Sequence, residues 1–511
     1  MREISIAIVG AGFSGLGMAI QLQKRGIHSF TIFEAADEVG GTWRDNHYPG
    51  CACDVPSHLY SFSFEPKPDW TRKYGEQHEI FEYLKDVTDR HGLREHIRFE
   101  TPVVAARYDE DEARWHLTTG DGETATADVL VTGTGPLSVP TIPAVEGLAR
   151  FTGPTFHSAR WDHDVDLAGK RVAVVGTGAS AIQLVPRIAP EVARLHLFQR
   201  TPPWVLPKPD RAFHPLEKRL FAAAPPLHRA YRYLTYWARE WSAFGFVAAP
   251  GVLDYASRFA RRHVEAQVDD PALRDLVTPD YRMGCKRVLI SNDYYPALNR
   301  ENVEVVPHGL SHVTERAVIA SDGSEREVDA IVFATGFDVR AFLNGIEVRG
   351  RGGRTLDEAW ADGAEAYYGL LVSGFPNLYT LLGPNTGLGH NSMVFMIEAQ
   401  VRYVLQCLER MRREDLASLE VRADDQRAFD DSVQERLGHT VWSTGCQSWY
   451  LDENGRNFTL WPGFTFEYWL RTRRPDRRHF RAEPRRRSRA VAQSSRAVAD
   501  GDRVGGAPRR V

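Results

Sequence analysis

Several patterns are missing from this chain. Its five cysteines contain no CxxC pair. Cys51-Ala52-Cys53 is too tightly spaced to supply two ligands to one zinc ion, so a structural zinc site is excluded. An odd, sparse set of thiols points to a reducing compartment, and a cytoplasmic location is expected. The nearest approach to a long apolar run, residues 236–253, is broken by Arg239 and Glu240, which argues against a membrane span of about 18 residues or more. The first apolar run starts within about three residues of Met1, so no cleavable leader is expected. Neither sign of charge dominates: 63 Lys and Arg face 67 Asp and Glu, for a net charge of −4. No general attraction to nucleic acid or to an anionic membrane follows. No zinc, haem or P-loop pattern occurs, so no metal site is expected. No GxSxG elbow follows a strand, which leaves a serine hydrolase without support.

Glycine is abundant, at 42 residues in 511, and some of it is arranged in a repeated motif. Gly10-Ala11-Gly12-Phe13-Ser14-Gly15 follows the apolar run 4–9, and Gly176-Thr177-Gly178-Ala179-Ser180-Ala181 follows the run 171–175. Each copy leads into a helix-like stretch and a second strand, 30–33 and 195–198. A glycine-rich turn between strand and helix brings backbone N–H groups and a helix N-terminus to a pyrophosphate. The two copies differ in the residue ending the second strand. Glu34 and Arg200 each stand 24 positions after the first glycine. A carboxylate there accepts a hydrogen bond from a ribose 2′-hydroxyl, whereas a guanidinium pairs with a 2′-phosphate. FAD and NADPH are the pair that fits. Arg200 has a competing reading as a platform stacked on adenine.

A chain this long exceeds one hydrophobic core, so two or three domains are expected. Residues 36–75, rich in Gly, Pro, Trp and Tyr, read as a structured loop, and 76–91 as a helix. Residues 97–135 alternate as strands and end in a buried strand with a glycine turn, a pattern echoed at 329–336. Residues 206–285 have helical spacing, notably 220–238 and 255–268. The apolar pattern is lost beyond Arg477, and the basic tail reads as disordered.

The segment between the glycine motifs is Phe151-Thr152-Gly153-Pro154-Thr155-Phe156-His157-Ser158-Ala159-Arg160-Trp161. It resembles the FxGxxxHxxxW fingerprint of the type I Baeyer–Villiger monooxygenases, class B flavoprotein enzymes. Heteroatom-oxidising relatives usually carry tyrosine at the last position. The resemblance extends through Gly40-Gly41-Thr42-Trp43, Tyr48-Pro49-Gly50, Asp54, Cys285-Lys286-Arg287, Gly389-His390-Asn391-Ser392 and Trp461-Pro462-Gly463, and covers roughly residues 1–475.

The resemblance implies an α/β fold with two Rossmann-like dinucleotide-binding domains and a helical insertion. A discontinuous FAD-binding domain would comprise 1–147 and 338–480, and an NADPH-binding domain 150–205 and 286–337. The helical insertion would be 206–285 and the disordered basic tail 481–511. It implies an NADPH-dependent oxidoreductase that inserts one oxygen atom of dioxygen next to the carbonyl of a small hydrophobic ketone. The product is an ester or lactone, formed through a flavin C4a-peroxide. The alternative is an N- or S-oxidising flavin monooxygenase.

Arg287 and Asp54 match the family's catalytic pair. A fixed cation favours an anionic peroxide and the anionic adduct that follows, and arginine keeps its charge at any working pH. Cofactor contacts are expected from Gly10, Gly12, Phe13, Ser14, Gly15, Glu34, Gly41, Thr42, Trp43, Asp54 and Asn391 on the FAD side. Gly176, Gly178, Ala179, Ser180, Arg200, Thr201 and Lys286 are expected on the NADPH side. Trp43 has core packing as its alternative. Phe151, Gly153, His157 and Trp161 are expected at a hinge, with an acid–base role as the alternative for His157. Pocket walls are expected from the insertion, from Tyr294-Tyr295 and from 442–449.

Overall fold

The computed structural model describes residues 3–249, 251–446 and 448–485. Two five-stranded parallel sheets organise it. The first has Ile6–Val9 at its centre, flanked by Phe30–Phe33 and Val129–Thr132, with Ile97–Arg98 and Leu378–Thr380 outside them. The register pairs Ile6 with both Phe30 and Val129. The second has Arg171–Val175 at its centre, flanked by Arg194–Phe198 and Ala330–Phe333, with Val303–Val306 and Thr155–His157 at the edges. The inner strands read as unbroken apolar runs because both faces of a parallel sheet are covered. Ile6–Val9 and Val129–Thr132 are buried at every position.

The first sheet thus draws four strands from residues 6–132 and one from 378–380, after the chain has passed through the second sheet. The helix Phe13–Gln23 packs against the long helix Met393–Glu414. Gly17 on the first helix makes room for Phe62, since a Cβ there would stand 3.0 Å from its ring. An antiparallel platform of Val103–Asp109, Arg114–Thr119 and Thr124–Ala127, joined by Glu347–Arg349, flanks the first sheet.

The region 206–285 is helical, but not as one run across 220–238. Pro215–Ala223 and Pro225–Val247 are separate helices. Pro225 and Pro226 occupy the first positions of the second helix, where a missing N–H costs nothing and where a preceding helix must stop. Gly251–Gln267 follows. Among the described residues, no helix is long and apolar enough to cross a membrane.

Two expectations need correction. The tail expected to be disordered from 481 begins with a strand. Phe480–Pro484 pairs antiparallel with Leu416–Val421, and Phe480 is buried. Its alternation was too short to stand out beside the arginines that follow. Residues 486–511 lie outside the described residues. The cysteines are not all thiols either. Cys285 and Cys446, 161 positions apart, form a disulfide, while Cys51, Cys53 and Cys407 are free and buried. Local spacing cannot reveal a bridge closed by tertiary packing.

Candidate active site

The two glycine turns differ in their surroundings. In the first, Gly10 has φ +96°, and a Cβ there would stand 2.7 Å from the Gly133 carbonyl oxygen. A Cβ on Gly15 would overlap the Gly10 carbonyl oxygen. Ala11, Phe13 and Ser14 are buried. Phe13 packs edge-on against Tyr60 and Phe62. The Gly-Gly-Thr-Trp segment lies on this turn. Gly40 N–H donates to the Ala11 carbonyl at 2.9 Å, and a Cβ on Gly41 would stand 3.3 Å from Gly12 Cα. Thr42 opens a short helix, 42–45. Trp43 is 7% exposed, and its indole N–H donates to the Tyr60 hydroxyl at 3.2 Å.

Glu34 is buried and bonded to the turn it follows. Its Oε2 accepts from Ala11 N–H at 2.7 Å, and its Oε1 accepts from Ala36 N–H at 3.1 Å and Arg44 Nη1 at 2.9 Å. A carboxylate offers about four acceptor sites, so capacity remains for a ribose hydroxyl. A backbone-only cradle closed by a buried carboxylate fits the adenosine diphosphate half of FAD.

The second turn is open. Gly176 has φ +111°, but Gly178 and Ala179 are exposed, and a Cβ on Gly178 would meet nothing within 4 Å. Ser180 is half-buried at the start of the helix Ala179–Ile188. Thr177 Oγ1 donates to the Thr201 carbonyl at 3.0 Å, which ties the turn to the end of the neighbouring strand. Arg200 and Lys286 converge because Val205–Leu206 and Leu289–Ile290 pair in a small parallel sheet. Arg200 is exposed, and Lys286 lies over the Tyr281 ring at 5.1 Å. Burial, and then the Arg200 charge, hold the Lys286 ammonium below its ordinary pKa. Neither cation forms an ion pair among the described residues. Two like charges held together, neither ion-paired to a carboxylate, make an anion site, which fits a 2′-phosphate.

Between these turns lies the acid–base pair that the motifs single out. Arg287 donates to Asp54 Oδ2 from Nη2 at 2.5 Å and from Nε at 3.1 Å. Its Nη1 donates to the Leu388 carbonyl at 3.3 Å. The side chains are 29% and 30% exposed, so the pair stays accessible to solvent. The Asp54 charge raises the Arg287 pKa further above its usual range against desolvation. Burial alone would push the Asp54 carboxyl up, but the Arg287 charge and hydrogen bonds outweigh it, and the net shift is downward. Both groups are therefore charged at any physiological pH.

The loop carrying Asp54 is fixed against the second nucleotide unit. Tyr48 donates to Gln183 Oε1 at 2.9 Å, and Gln183 Nε2 donates to the Ala52 carbonyl at 2.9 Å. Gly50, at φ +81°, is required here, since a Cβ would stand 2.7 Å from the Gln183 carbonyl oxygen.

Sequence reasoning missed two members of the site. Arg239 and Glu240 read only as charges interrupting an apolar stretch. Arg239 Nη2 in fact donates to the Asp54 carbonyl at 2.8 Å. Glu240 is 1% exposed and accepts from Thr465 N–H at 2.5 Å, Thr465 Oγ1 at 2.7 Å, Phe466 N–H at 3.2 Å and Asn391 Nδ2 at 2.6 Å. A pair of charges inside an otherwise apolar stretch was the available signal, because such charges are retained only with partners. Asn391 is accordingly engaged: its Nδ2 meets Glu240 and its Oδ1 accepts from Ser392 N–H at 2.8 Å.

The fingerprint segment lies at the edge of the second sheet. His157 ends the strand paired with Ala330–Phe333 and is 2% exposed. Its Nδ1 accepts from Ala159 N–H at 3.1 Å, and burial lowers its pKa to about 4. Trp161 packs edge-on against Phe156 at 5.0 Å, and a Cβ on Gly153 would overlap the Asp329 carbonyl oxygen. Phe151 packs on the core beneath the second sheet. Tyr294 and Tyr295, expected at a pocket wall, are each 1% exposed and belong to the main core. Trp442 is likewise buried, whereas Trp449 is 47% exposed.

Comparison with known proteins agrees with this layout. Residues 3–223 match the family model described as flavin-binding monooxygenase-like. The chain is 51% identical over 477 residues to a Baeyer–Villiger monooxygenase of Pseudomonas aeruginosa, covering 93% of this chain and 90% of that protein. A cyclohexanone monooxygenase from Rhodococcus sp. Phi1 bound to NADP+ superposes with a TM-score of 0.85 at 28% identity, covering 94% of this chain and 99% of that one. The OTEMO complex with FAD and NADP superposes with a TM-score of 0.84 at 27% identity, covering 92% and 97%.

Proposed function

The chain belongs to the Baeyer–Villiger monooxygenase family, and from that premise we propose how its own residues perform the reaction. It is an FAD- and NADPH-dependent monooxygenase that converts a ketone to an ester or lactone. Our reading of its finer features is a small hydrophobic ketone, dioxygen as oxidant and a cytoplasmic setting. We assign residues 1–147 with 338–480 to FAD and 150–205 with 286–337 to NADPH.

FAD, once bound and reduced, supplies the activation of dioxygen. The glycine turn at 10–15 and Glu34 hold its adenosine half, with Gly41, Thr42 and Trp43 closing over that turn. The open turn at 176–181 binds the NADPH pyrophosphate, and Arg200, Thr201 and Lys286 bind its 2′-phosphate. Arg287 places a permanent positive charge in the cleft between the two sites. Such a charge stabilises the negative charge that develops on oxygen during attack on a carbonyl carbon. Asp54 orients the guanidinium and holds it charged. Arg239, gripping the Asp54 carbonyl, fixes that carboxylate in turn. Two N–H groups of Arg287, one on each Nη, remain free of Asp54 and Leu388, and these are the donors available to the reacting oxygen. His157, neutral and bonded to its own turn, acts as a hinge residue between the nucleotide units.

The doubly bonded Arg287–Asp54 pair, still accessible to solvent, is the observation that carries this reading. The test is ester formation from a panel of ketones, with a thioether alongside. Arg287→Ala is expected to retain FAD and lose ester formation by at least about 100-fold, the loss typical of one electrostatic stabiliser. Normal ester formation by that variant, or oxidation of the thioether alone, overturns it.

A further inference from the structure

The helix Pro225–Val247 carries charge on its inner side and apolar groups on its outer side. A helix on the surface of a water-soluble protein has the two sets reversed. The inward charges are partnered. Arg232 donates to the His58 carbonyl and Arg239 to the Asp54 carbonyl, while Glu240 accepts from Thr465. The exposed positions from Ala230 to Ala248 hold no charge. Tyr233, Leu234, Trp241 and Phe244 project there, and the helix Gly251–Gln267, packed against this one, adds Tyr255 and Phe259. These six residues are 43% to 76% exposed. At about 200 Å² for an aromatic side chain, the five rings leave on the order of 600 Å² open. Apolar surface on that scale marks an interaction site.

Charge decides what covers this face. Arg229, Arg258 and Arg262 are exposed beside it and form no ion pair among the described residues. The acids of the two helices are Glu240, Asp254 and Glu265. Glu240 is buried and Asp254 pairs with Arg282, which leaves Glu265 alone. A second copy docked face to face would therefore offer these arginines a single free carboxylate. Residues 486–511 carry seven arginines, two aspartates and no Leu, Ile, Met or aromatic residue, so they match neither the apolarity nor the charge. An anionic lipid surface matches both. We propose that these two helices dock the protein in the plane of an anionic bilayer, with the rings at the acyl boundary and the arginines among the headgroups. The net charge gives no such attraction; the local arrangement does. The inner side of the same helix grips Asp54 and Thr465, so docking brings the reaction site to where apolar ketones concentrate. That last consequence rests on the family reaction proposed above, whereas lipid binding does not.

The test is co-sedimentation of the FAD-loaded protein with vesicles of phosphatidylcholine and phosphatidylglycerol in equal parts, and with phosphatidylcholine alone. Wild type is expected to bind the mixed vesicles and to be released as salt rises. Leu234→Glu combined with Trp241→Glu should weaken binding about 100-fold, about tenfold for each large apolar side chain kept out of lipid. Arg229→Gln, Arg258→Gln and Arg262→Gln together should also weaken it about 100-fold on mixed vesicles, at about fivefold per arginine, and by less than about twofold on phosphatidylcholine. Ile142→Glu, a change at an exposed residue outside these helices, should bind like wild type. FAD content and thermal melts should match wild type in every variant. Without lipid, the Leu234→Glu, Trp241→Glu protein should oxidise a water-soluble ketone at the wild-type rate. Its ester formation from a ketone carried in mixed vesicles should fall in step with binding. No binding to mixed vesicles, or equal binding by wild type and both sets of variants, overturns the proposal. So does a dimer in sedimentation velocity that Leu234→Glu dissociates, since the face then belongs to a second copy.

Discussion

Lys286 offers the sharpest test of the NADPH site, because its removal should have opposite effects on the free and the liganded protein. Lys286→Met keeps the aliphatic stem over Tyr281 and deletes the charge. In the free protein this relieves an unfavourable charge, since burial and then the Arg200 charge already disfavour the ammonium. Thermal stability without nucleotide should hold or rise slightly. With NADPH the variant loses a charge-assisted contact worth about 1.5–3 kcal/mol. KM for NADPH should therefore rise about 10- to 100-fold, at about 1.4 kcal/mol per factor of ten. Arg200 is exposed, so solvent screens its share, and Arg200→Ala should cost only about 1 kcal/mol, or roughly fivefold. NADH carries no 2′-phosphate, so its KM should change less than about twofold in either variant on the same argument. The assay is steady-state NADPH and NADH oxidation at saturating ketone, beside thermal melts with and without NADP+. A parallel rise in both KM values, or a fall of several degrees in the free protein's melt, would refute the argument.

Further outcomes follow from the same geometry. Gly15→Ala should fail to retain FAD and lose more than about 3 kcal/mol, since its Cβ overlaps the Gly10 carbonyl. Gly178→Ala should melt like the wild type and bind NADPH poorly; absorbance of the flavin and nucleotide titration separate the two. Glu240→Ala strands three N–H donors, those of Thr465, Phe466 and Asn391, at about 1–3 kcal/mol for each buried group, and urea unfolding should show the loss. His157 and His58 are buried, with pKa values lowered by burial to about 4 and about 3. The unfolded chain, with histidines near about 6.5, binds more protons than the folded one below that pH. Stability is therefore complete above about pH 6.5 and falls on acidification, by about 2 kcal/mol per histidine at pH 5. Denaturant midpoints between pH 7 and 5 should drop, and less steeply in His157→Asn; equal slopes would count against burial of a neutral ring.

Much of this molecule is written locally. The two glycine turns, the apolar strands beside them and the helix 77–90 follow from spacing, since each is decided within about ten residues by strand pattern and turn chemistry. The contrast between Glu34 and Arg200 is equally local: one ends its strand buried on the turn, the other exposed beside a second cation. The breaks at Pro225 and at Phe480 were also in the sequence, though too weak to weigh against the longer helical and basic patterns around them. The roles of Arg239 and Glu240 were not legible. Their partners, Asp54, Asn391 and Thr465, lie between 151 and 225 positions away. The bridge from Cys285 to Cys446 and the meeting of Arg287 with Asp54 belong to the same class. Sequence alone determined which chemical groups the chain carries and which short segments cradle a phosphate, because backbone sterics and helix dipoles act over a turn or two. Tertiary structure alone decided which charges are neutralised, which are left paired against each other and which thiols bond, because those outcomes depend on distances set by packing between segments far apart in the chain.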